Sequence, residues 1–404
     1  MPLFVCKRPN IEQLRLNETR MVTIEARLAQ EIVERAMKII PFNVNVMDRR
    51  GIIIGSGKAA RIGELHSGAQ LALAHGRPVE IDEATARTLP GVKPGVNLPL
   101  TVRGQTCGVV GLTGEPETVR QFGDLVRISA EMILEQAQLI GELQREKRYR
   151  EEFVFHLVKQ EGTTRGDLEA WALRLGIDFQ HPRAVIAIVP TDANLRPDLA
   201  LAELQHFQTR LTAQSPEILA AALSPREFVI IESFAGRSPQ TSETTFSRQR
   251  LKHFEALLRA ETAVPFVLSI GVALTGIEGI AISYKSACRT RRVGQQREPQ
   301  ASSHSFYERS LPVLLSSLDA GWQAEQLRQP LDRLTRIDKR NGTLRHTLDA
   351  WFTHNEHPLA TANALGIHRN TLDYRLRQIS EITGLDLERT DDRLLLYIAM
   401  QLDG

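Results

Sequence analysis

Side chains that can hydrogen-bond the edges of DNA bases are concentrated near the carboxyl end of this 404-residue sequence. Residues 365–380 hold three arginines against one aspartate, with asparagine, threonine and tyrosine among them. Arginine and asparagine form paired hydrogen bonds with guanine and adenine, whereas threonine and tyrosine suit phosphate oxygens. Arg369, Asn370 and Asp373 come first along the predicted helix, so they are the expected base-reading residues. The full set of predicted DNA contacts is His368, Arg369, Asn370, Thr371, Asp373, Tyr374, Arg375 and Arg377.

The apolar residues around this run have the spacing of a helix-turn-helix motif at residues 359–380. Gly366 lies between the two predicted helices, where a tight turn requires a positive φ. Leu372, Leu376 and Ile379 repeat at helical spacing and would bury one side of the second helix. The alternative is an ordinary helical hairpin with an exposed arginine face. Spacing, turn glycine and surface chemistry together favour DNA binding.

The composition is that of a folded protein with several domains. A length of 404 residues exceeds one ordinary hydrophobic core, which predicts roughly two to four domains. Apolar residues make up 42% and charged residues 24%, so wholesale disorder is excluded. The net charge is only +2, from 50 Lys+Arg against 48 Asp+Glu. That balance excludes a histone-like coat for nucleic acid but permits a local basic patch.

Cysteine usage and hydropathy exclude further classes of protein. Cys6, Cys107 and Cys288 lie far apart, with no CxxC pair, which excludes a disulfide scaffold and a thiolate zinc site. No metal or cofactor is predicted. No apolar run reaches the roughly 18 residues of a membrane span, and the apolar run at residues 3–6 is too short for a signal peptide. We therefore expect a cytoplasmic protein without a membrane partner.

The amino-terminal part of the sequence predicts a small sheet flanked by helices. Residues 1–20 show no periodicity and form an extension, and a helical repeat then starts at Ile24 and stops before Pro41. Strands are predicted near residues 42–46, 52–54, 96–102 and 105–112. This order suits a PAS-like sensor domain over residues 21–116, or to about 140 with the next helix, in which a ligand lies between sheet and helices.

A long amphipathic helix is predicted over residues 117–160. Its apolar residues recur at spacings of three and four from Phe122 to Ile140, and a charged stretch follows. Such a helix would extend roughly 50 Å at about 1.5 Å per residue, and a helix of that length is rarely stable alone. It is either a connector packed on its own domain or a dimerising helix that carries a signal. The second interpretation is favoured and implies a homodimer or higher homo-oligomer.

The remaining segments predict one mixed domain and one helical domain. Residues 165–300 alternate in the order β-α-β-β-α-β, which is typical of a ferredoxin-like domain. Beyond Phe306 the sequence becomes almost purely helical, so residues 306–404 form a helical domain that contains the helix-turn-helix. The chain is thus predicted to be a multidomain α+β protein. Its parts are a PAS-like sensor, a long connecting helix, a ferredoxin-like domain and an all-α helix-turn-helix domain.

Several motifs resemble those of a known family of regulators. The runs at residues 364–376, 384–387 and 391–394 are similar to the PucR-type helix-turn-helix. Residues 43–48, 54–57, 61–66 and 108–114 look like the sugar-diacid recognition domain. In this order, across residues 21–404, these motifs resemble the carbohydrate diacid regulator family. That resemblance implies a bacterial transcriptional activator that senses glycerate, glucarate or galactarate and controls genes for its uptake and catabolism.

The middle of the chain resembles a degenerate GGDEF domain. Its central hairpin, residues 224–228, reads Ser-Pro-Arg-Glu-Phe and lacks both glycines and the aspartate of the catalytic turn. Phosphate approach and metal binding both depend on those residues, so no cyclase activity is expected. We expect an architectural role for this domain.

The implied effector is a small anion rich in hydroxyl groups. Each carboxylate needs cationic or backbone N–H partners, and the hydroxyl groups suit side-chain amides. Arg61 and His66 precede a predicted helix whose N-terminus would favour a carboxylate. The predicted effector-binding residues are Arg61, Gly63, His66, Lys93, Gly95, Asn97 and Gly111. The alternatives are an arginine that caps a carbonyl, a satisfied buried histidine, and glycines that only form turns.

Two other classes of function compete with regulation. An enzyme acting on the sugar acid would need acid–base groups, for which only Arg61, Glu64 and His66 together could serve, and no catalytic residue is predicted. A DNA-independent scaffold would lack salt-sensitive DNA binding. The favoured mechanism is that effector binding repositions the helix at residues 117–160. That movement would change how two helix-turn-helix units are presented to operator DNA.

Overall fold

The computed structural model describes residues 23–88, 92–192, 194–215, 217–235, 238, 240–318, 321–338 and 342–403. The predicted extension at residues 1–20 lies outside these ranges. The chain is a multidomain α+β protein that divides into two compact units, Met1–Glu146 and Lys147–Gly404. Within the described ranges, no helix is both long and apolar enough to cross a bilayer.

The first unit is built on one antiparallel sheet of five strands in the order β2-β1-β5-β4-β3. The strands are β1 (Val44–Met47), β2 (Ile53–Ser56), β3 (Val79–Ile81), β4 (Gly95–Val102) and β5 (Gln105–Thr113). The helices are α1 (Ala26–Met37), α2 (Ser67–His75), α3 (Glu83–Ala86) and α4 (Pro116–Lys159). The four predicted strands are present, whereas the three-residue strand β3 was not predicted.

Both faces of this sheet are covered, because the strands alternate two sets of buried side chains. On one face, Val46, Val96 and Val110 pack in a cluster with Ile32 of α1 and Val126 of α4. On the opposite face, a smaller cluster joins Met47, Ile53 and Val109 to Ala69 and Ala72 of α2. Burial on both sides leaves no water to solvate polar groups within the sheet. Any polar side chain there must therefore find a partner.

Helix α4 is 44 residues long and covers the predicted segment 117–160 except for its last residue, Gln160. In the first unit, Val119, Ala130 and Leu134 are buried in the sheet's larger core. In the second unit, Phe153 and Leu157 near its end are fully buried against other apolar residues of that unit. The same helix therefore contributes to two separate hydrophobic cores.

The second unit contains a five-stranded sheet in the order β10-β9-β6-β8-β7, in which β10 is parallel to β9 and the other pairs are antiparallel. The strands are β6 (Arg183–Pro190), β7 (Leu219–Ser224), β8 (Glu227–Ser233), β9 (Phe266–Ile270) and β10 (Ser303–Ser305). The helices beside it are α5 (Arg165–Arg174), α6 (Pro197–Gln214), α7 (Glu243–Glu261) and α8 (Ile277–Arg297). The predicted element order is present, and β10 is an addition that its Ser-His-Ser sequence did not reveal.

Glu227, the acidic residue of the hairpin at residues 224–228, has a structural role. Strand β7 ends at Ser224 and β8 begins at Glu227. Both carboxylate oxygens of Glu227 accept the Tyr284 hydroxyl at 2.9 Å. The ammonium of Lys159, the last residue of α4, lies 3.3 Å from the same hydroxyl oxygen. Glu227 thus connects the hairpin to α8 and to the end of α4.

The described residues beyond Phe306 are mostly helical, as predicted. The helices are α9 (Ser310–Leu315), α10 (Trp322–Ile337), α11 (Thr343–Thr353), α12 (Pro358–Leu365), α13 (Arg369–Thr383) and α14 (Thr390–Asp403). A compact core of Leu331, Leu334, Leu348, Ile379 and Leu396 holds α10, α11, α13 and α14 together. This bundle positions the helix-turn-helix segment.

Candidate effector pocket and DNA-reading helix

A row of polar residues crosses the α2 side of the first sheet. Strand register places Ser56 beside Asn45, Asn45 beside Gly111, and Gly111 beside Asn97. The three polar residues are only 2%, 2% and 3% exposed. A glycine between two carboxamides leaves the middle of the row without a side chain.

One end of the row is satisfied internally and the other is not. The Ser56 hydroxyl donates to Asn45 Oδ1 at 2.6 Å, and Asn43 Nδ2 donates to the same oxygen at 3.2 Å. Asn97 Oδ1 is fully buried and has no hydrogen-bond partner among the described residues. A buried acceptor without a partner costs about 1–3 kcal/mol. Asn97 is therefore the residue at which a bound donor would be most favourable.

The Asn97 side chain fits closely between two glycines. A Cβ atom at Gly111 would lie 3.0 Å from Asn97 Oδ1, and one at Gly68 would lie 2.7 Å from Asn97 Nδ2. Gly68 belongs to the first turn of α2, so the N-terminus of that helix lies against the carboxamide. The first N–H groups of a helix precede its first internal hydrogen bond, and together with the helix dipole they favour an anion.

His66 caps the same helix and is neutral at physiological pH. Its Nδ1 accepts the Ala69 N–H at 3.2 Å, so the ring proton is on Nε2. Burial, together with the smaller effect of the nearby charge of Arg61, lowers the pKa of His66 to about 4. The guanidinium of Arg61 is mostly buried and pairs with Glu64, Nε to Oε2 at 3.1 Å. This corner therefore offers a neutral N–H donor and a cation that is already paired.

The other predicted effector residues lie in different surroundings. Gly63 is exposed at φ +92°, and an added Cβ would touch nothing within 4 Å, which is the environment of a turn glycine. Gly95 is buried, and a Cβ there would lie 2.1 Å from the carbonyl oxygen of Leu112, so its smallness serves strand packing. Lys93 is exposed, and none of the described carboxylates forms an ion pair with it. Arg61 lies near His66, and Asn97 lies beside Gly111 and beside the helix that His66 caps. Gly63, Lys93 and Gly95 do not belong to this group.

Sequence reasoning missed three residues of this site: Asn45, Ser56 and Gly68. A signal for Asn45 was present, because the run from Asn43 to Met47 places asparagines on one face of the strand and valines on the other. An alternating strand normally has one solvated face, so the asparagines were consistent with exposure. Only the position of α2 shows that they are buried.

The DNA-reading segment has the predicted helix-turn-helix geometry. Helix α12 ends at Gly366, whose φ of +62° is left-handed, and the next residue, Ile367, donates its N–H to Ala362 O at 3.0 Å. His368 begins α13 as its N-cap, and its Nδ1 accepts the Asn370 N–H at 3.3 Å. Leu372 and Ile379 are fully buried, and they fix which side of α13 faces outward.

Six of the eight predicted DNA contacts are exposed on this helix or its cap. They are His368, Arg369, Asn370, Thr371, Tyr374 and Arg377. Asp373 is half-buried. Arg375 is also half-buried, and its Nη1 donates to Thr347 Oγ1 of α11 at 3.2 Å. Arg375 therefore holds the recognition helix against the bundle, while the guanidinium groups of Arg369 and Arg377 are exposed and have no partner among the described residues.

Among the residues with a described structure, no three His, Cys, Asp or Glu side chains converge as a metal site.

Three family models match the chain in sequence. Residues 24–157 match sugar diacid recognition, residues 160–293 match a GGDEF-like domain, and residues 344–402 match the PucR C-terminal helix-turn-helix domain.

Several known bacterial proteins are similar to this chain. The chain is 49% identical to the carbohydrate diacid regulator of Escherichia coli K12, over 94% of this chain and 98% of that protein. It is 36% identical to a protein of Haemophilus influenzae Rd over 93% and 98%. It is 26% identical to the transcriptional activator PmfR of Paenarthrobacter nicotinovorans over 50% and 49%. The solved regulator of polyketide synthase expression from Bifidobacterium adolescentis is 15% identical with a TM-score of 0.32, over 64% and 92%.

Proposed function

This chain belongs to the carbohydrate diacid regulator family, and on that basis we propose that it is a transcriptional activator controlled by a small sugar acid. It is a DNA-binding regulator of carbohydrate diacid metabolism and not an enzyme. The proposed effectors are glycerate, glucarate and galactarate, and the proposed targets are genes for their uptake and catabolism. A regulator of DNA in a bacterium would act in the cytoplasm.

The observation that carries the effector proposal is the unpartnered oxygen of Asn97. A hydroxyl group of a sugar acid would donate to Asn97 Oδ1 and remove the cost of burying that acceptor. The carboxylate would lie at the N-terminus of α2, where it would accept from first-turn N–H groups and from His66 Nε2. Arg61 would release Glu64 and pair with the ligand carboxylate instead. Lys93, which is exposed and lies outside this group of residues, stays a predicted contact for the second carboxylate of a diacid.

The sheet topologies support the finer fold assignments. We propose a PAS-like sensor at residues 21–116, because its strand order of 2-1-5-4-3 is that of a sheet with its first and last strands in the centre. We propose a ferredoxin-like domain at residues 165–300, because β6 to β9 lie in the order 4-1-3-2 with helices after the first and third strands. The helical domain at residues 306–404 completes this proposed division.

We further propose that two copies of the chain associate through α4. Its outward side exposes Leu125, Ile128, Met132, Leu139 and Leu143. These residues follow the heptad-like spacing of three, four, seven and four, whereas the opposite side is already buried in the sheet's core. A second copy of the same helix matches this seam because a coiled coil is self-complementary. Dimerisation would also place two recognition helices on operator half-sites about one helical turn apart or a multiple of it.

In the resulting mechanism, effector binding between the sheet and α2 shifts the position of α4. The shift changes the spacing or orientation of two helix-turn-helix units. An allosteric coupling of this kind is typically about 1–3 kcal/mol, or roughly a 5- to 150-fold change in operator occupancy.

Thermal unfolding of the full chain with each sugar acid tests the effector proposal directly. A ligand at 100 times its dissociation constant should stabilise its domain by about 2.7 kcal/mol. We expect a rise in Tm with at least one acid, none with glucose, and no rise in an Asn97→Ala variant. Asn194→Ala, an exposed change in the second unit, is the matched control and should keep the response. If the Asn97→Ala variant kept the effector-induced rise in Tm, the effector would not bind at this position.

A further inference from the structure

Helix α8 carries a concentration of positive charge that neither the effector site nor the recognition helix uses. It contains Lys285, Arg289, Arg291, Arg292 and Arg297, and its only acidic residue, Glu278, lies in the first turn. The opposite side of the helix is apolar and packs in the second unit's core. Lys285, Arg289 and Arg292 are exposed at spacings of four and three, so they lie on one outward face.

Part of this face is unpaired among the described residues, although Arg292 donates Nη2 to the carbonyl oxygen of Ser316 at 3.3 Å. No described carboxylate forms an ion pair with Lys285, Arg289 or Arg291, and the carboxylate of Glu227 accepts the Tyr284 hydroxyl while keeping its negative charge. Arg291 Nη1 is buried without an acceptor in the described part of the chain. The face lines an open groove of about 560 Å³ formed by Cys288, Arg289, Arg291, Arg292, Gln295 and Gln296. A groove lined by arginine and glutamine side chains is suited to the oxygens of an anion.

The charge of the DNA-reading domain explains why further cations are needed. Residues 335–404 contain nine Lys+Arg and ten Asp+Glu, so this part of the chain is close to neutral. A typical specific complex neutralises about 6–10 phosphates. Arg369 and Arg377 are the exposed arginines of α13, and Arg375 is bound to Thr347.

Helix α8 is fixed to that same domain. Arg297, its last residue, donates Nη1 to Gln401 Oε1 and Nη2 to Gln401 O, both at 2.9 Å, and Gln401 lies in α14 of the bundle. From Lys285 to Gln296 the exposed face runs for roughly 16 Å at about 1.5 Å per residue. That is a length over which one DNA strand presents several phosphates.

We infer that the exposed basic face of α8 is a second DNA-contacting surface that binds the phosphate backbone, without reading its sequence, while α13 reads the bases. This inference rests on the proposed DNA binding. In it, the exposed side chains of Arg289 and Lys285 neutralise phosphates. The GGDEF-like domain then has a role in affinity in addition to an architectural one.

The salt dependence of DNA binding tests this surface with the full-length protein. The probe is a fluorescently labelled duplex of arbitrary sequence, about 30 base pairs long, so that it covers two half-sites, and binding is measured between about 50 and 200 mM salt. The slope of log K against log salt is negative, and each lost phosphate contact decreases its magnitude by about 0.9. We expect that decrease for Arg289→Ala, about twice that decrease for the double variant Lys285→Ala/Arg289→Ala, and the wild-type slope for Arg289→Lys.

Lys252→Ala removes an exposed cation from α7 of the same unit and is the matched control. The inference requires that this control leave the slope unchanged while Arg289→Ala decreases its magnitude. Arg369→Ala separates the two proposals, because it should reduce discrimination between a selected operator and arbitrary DNA, whereas Arg289→Ala should weaken both equally. Wild-type slopes in both α8 variants would overturn the inference and leave the helix-turn-helix proposal intact. An absence of DNA binding by the wild-type protein would overturn both.

Discussion

Asn97 and Gly111 are register partners on β4 and β5, and the Asn97 amide oxygen lies so close that a Cβ on Gly111 would be 3.0 Å away. The glycine allows a buried carboxamide to lie flat against the centre of the sheet. Its oxygen has no partner among the described residues. A polar group that is costly in the ligand-free protein is a common feature of binding sites, where stability is exchanged for function.

Removing that polar group should stabilise the ligand-free protein. Asn97→Leu replaces the unpartnered amide with an apolar group of similar shape, so we expect a gain of about 1–2 kcal/mol in the free energy of unfolding of the first unit. The same variant should lose the Tm increase caused by the effector. Chemical denaturation with and without sugar acid measures both effects. A destabilised variant would mean that the amide has a partner in the apo protein.

A methyl group added beside the amide should block the effector and should also lower the stability of the first unit. Gly111→Ala brings a methyl group to 3.0 Å from Asn97 Oδ1 and 3.3 Å from Met47 Cε, and we expect a cost of about 1–3 kcal/mol. The effector-induced Tm shift should disappear. Gly141→Ala in α4 is the control, because its Cβ meets nothing within 4 Å and a helical alanine gains about 0.5–1 kcal/mol over glycine.

The first unit should lose stability as the solution becomes mildly acidic. The pKa of His66 is lowered from 6.5 to about 4, chiefly by burial, so below pH 6.5 the unfolded chain binds a proton that the folded chain refuses. The contribution is complete above pH 6.5 and falls as pH falls. Linkage gives a loss of about 2 kcal/mol by pH 5. His66→Asn preserves an N-cap and should flatten this part of the pH profile, measured by unfolding at each pH.

Substitution of Arg369 and of Arg375, two of the three arginines of α13, should have different effects. Arg369→Ala should cost about 1–3 kcal/mol of operator binding and relax sequence preference, because its guanidinium is free to contact a base edge. Arg375→Ala should lower the stability of the helical bundle by about 1 kcal/mol through the lost bond to Thr347. Competition binding and thermal unfolding on both variants distinguish the roles. If both variants lost sequence preference equally, Arg375 would be a DNA contact and not only a structural residue.

A charge in the seam of α4 should separate the proposed dimer. Met132→Glu places a carboxylate where the second helix would pack, and we expect dimerisation to weaken by about 3 kcal/mol or more, roughly 100-fold. Gln144→Glu makes the same change of charge at an exposed position away from the seam and should leave the assembly unchanged. Sedimentation velocity over a range of concentrations measures both. A wild-type monomer at all concentrations would contradict the seam.

The parts of the fold that follow from periodicity were predictable, and those that depend on tertiary packing were not. The α4 spacing predicted a helix over residues 117–160, and Pro116–Lys159 is helical. Gly366 and Leu372 predicted the turn and buried side of the DNA reader, and both are where spacing placed them. Strand β10 has no apolar alternation, because it lies at a sheet edge and pairs through its backbone.

Site residues divided in the same way. His66 was predicted as the residue before a helix, and it is the N-cap of α2. Gly95 was proposed for ligand approach, but its lack of a side chain is required by the carbonyl of Leu112. Asn45 was not chosen because its burial arises from α2, which is distant in sequence. A glycine or an asparagine has the same sequence signal in a pocket and in a packed sheet, so only the neighbours distinguish them.

Helix α4 is continuous across the boundary between the two units, and this restricts the insertions and deletions that its sequence can accept. One inserted residue would turn everything downstream by about 100° around the helix axis, whereas seven would restore the direction to within roughly 20°. Natural insertions and deletions between residues 137 and 150 should therefore be tolerated in steps of seven. Chimaeras that join this sensor to another output domain should work or fail according to the same periodicity.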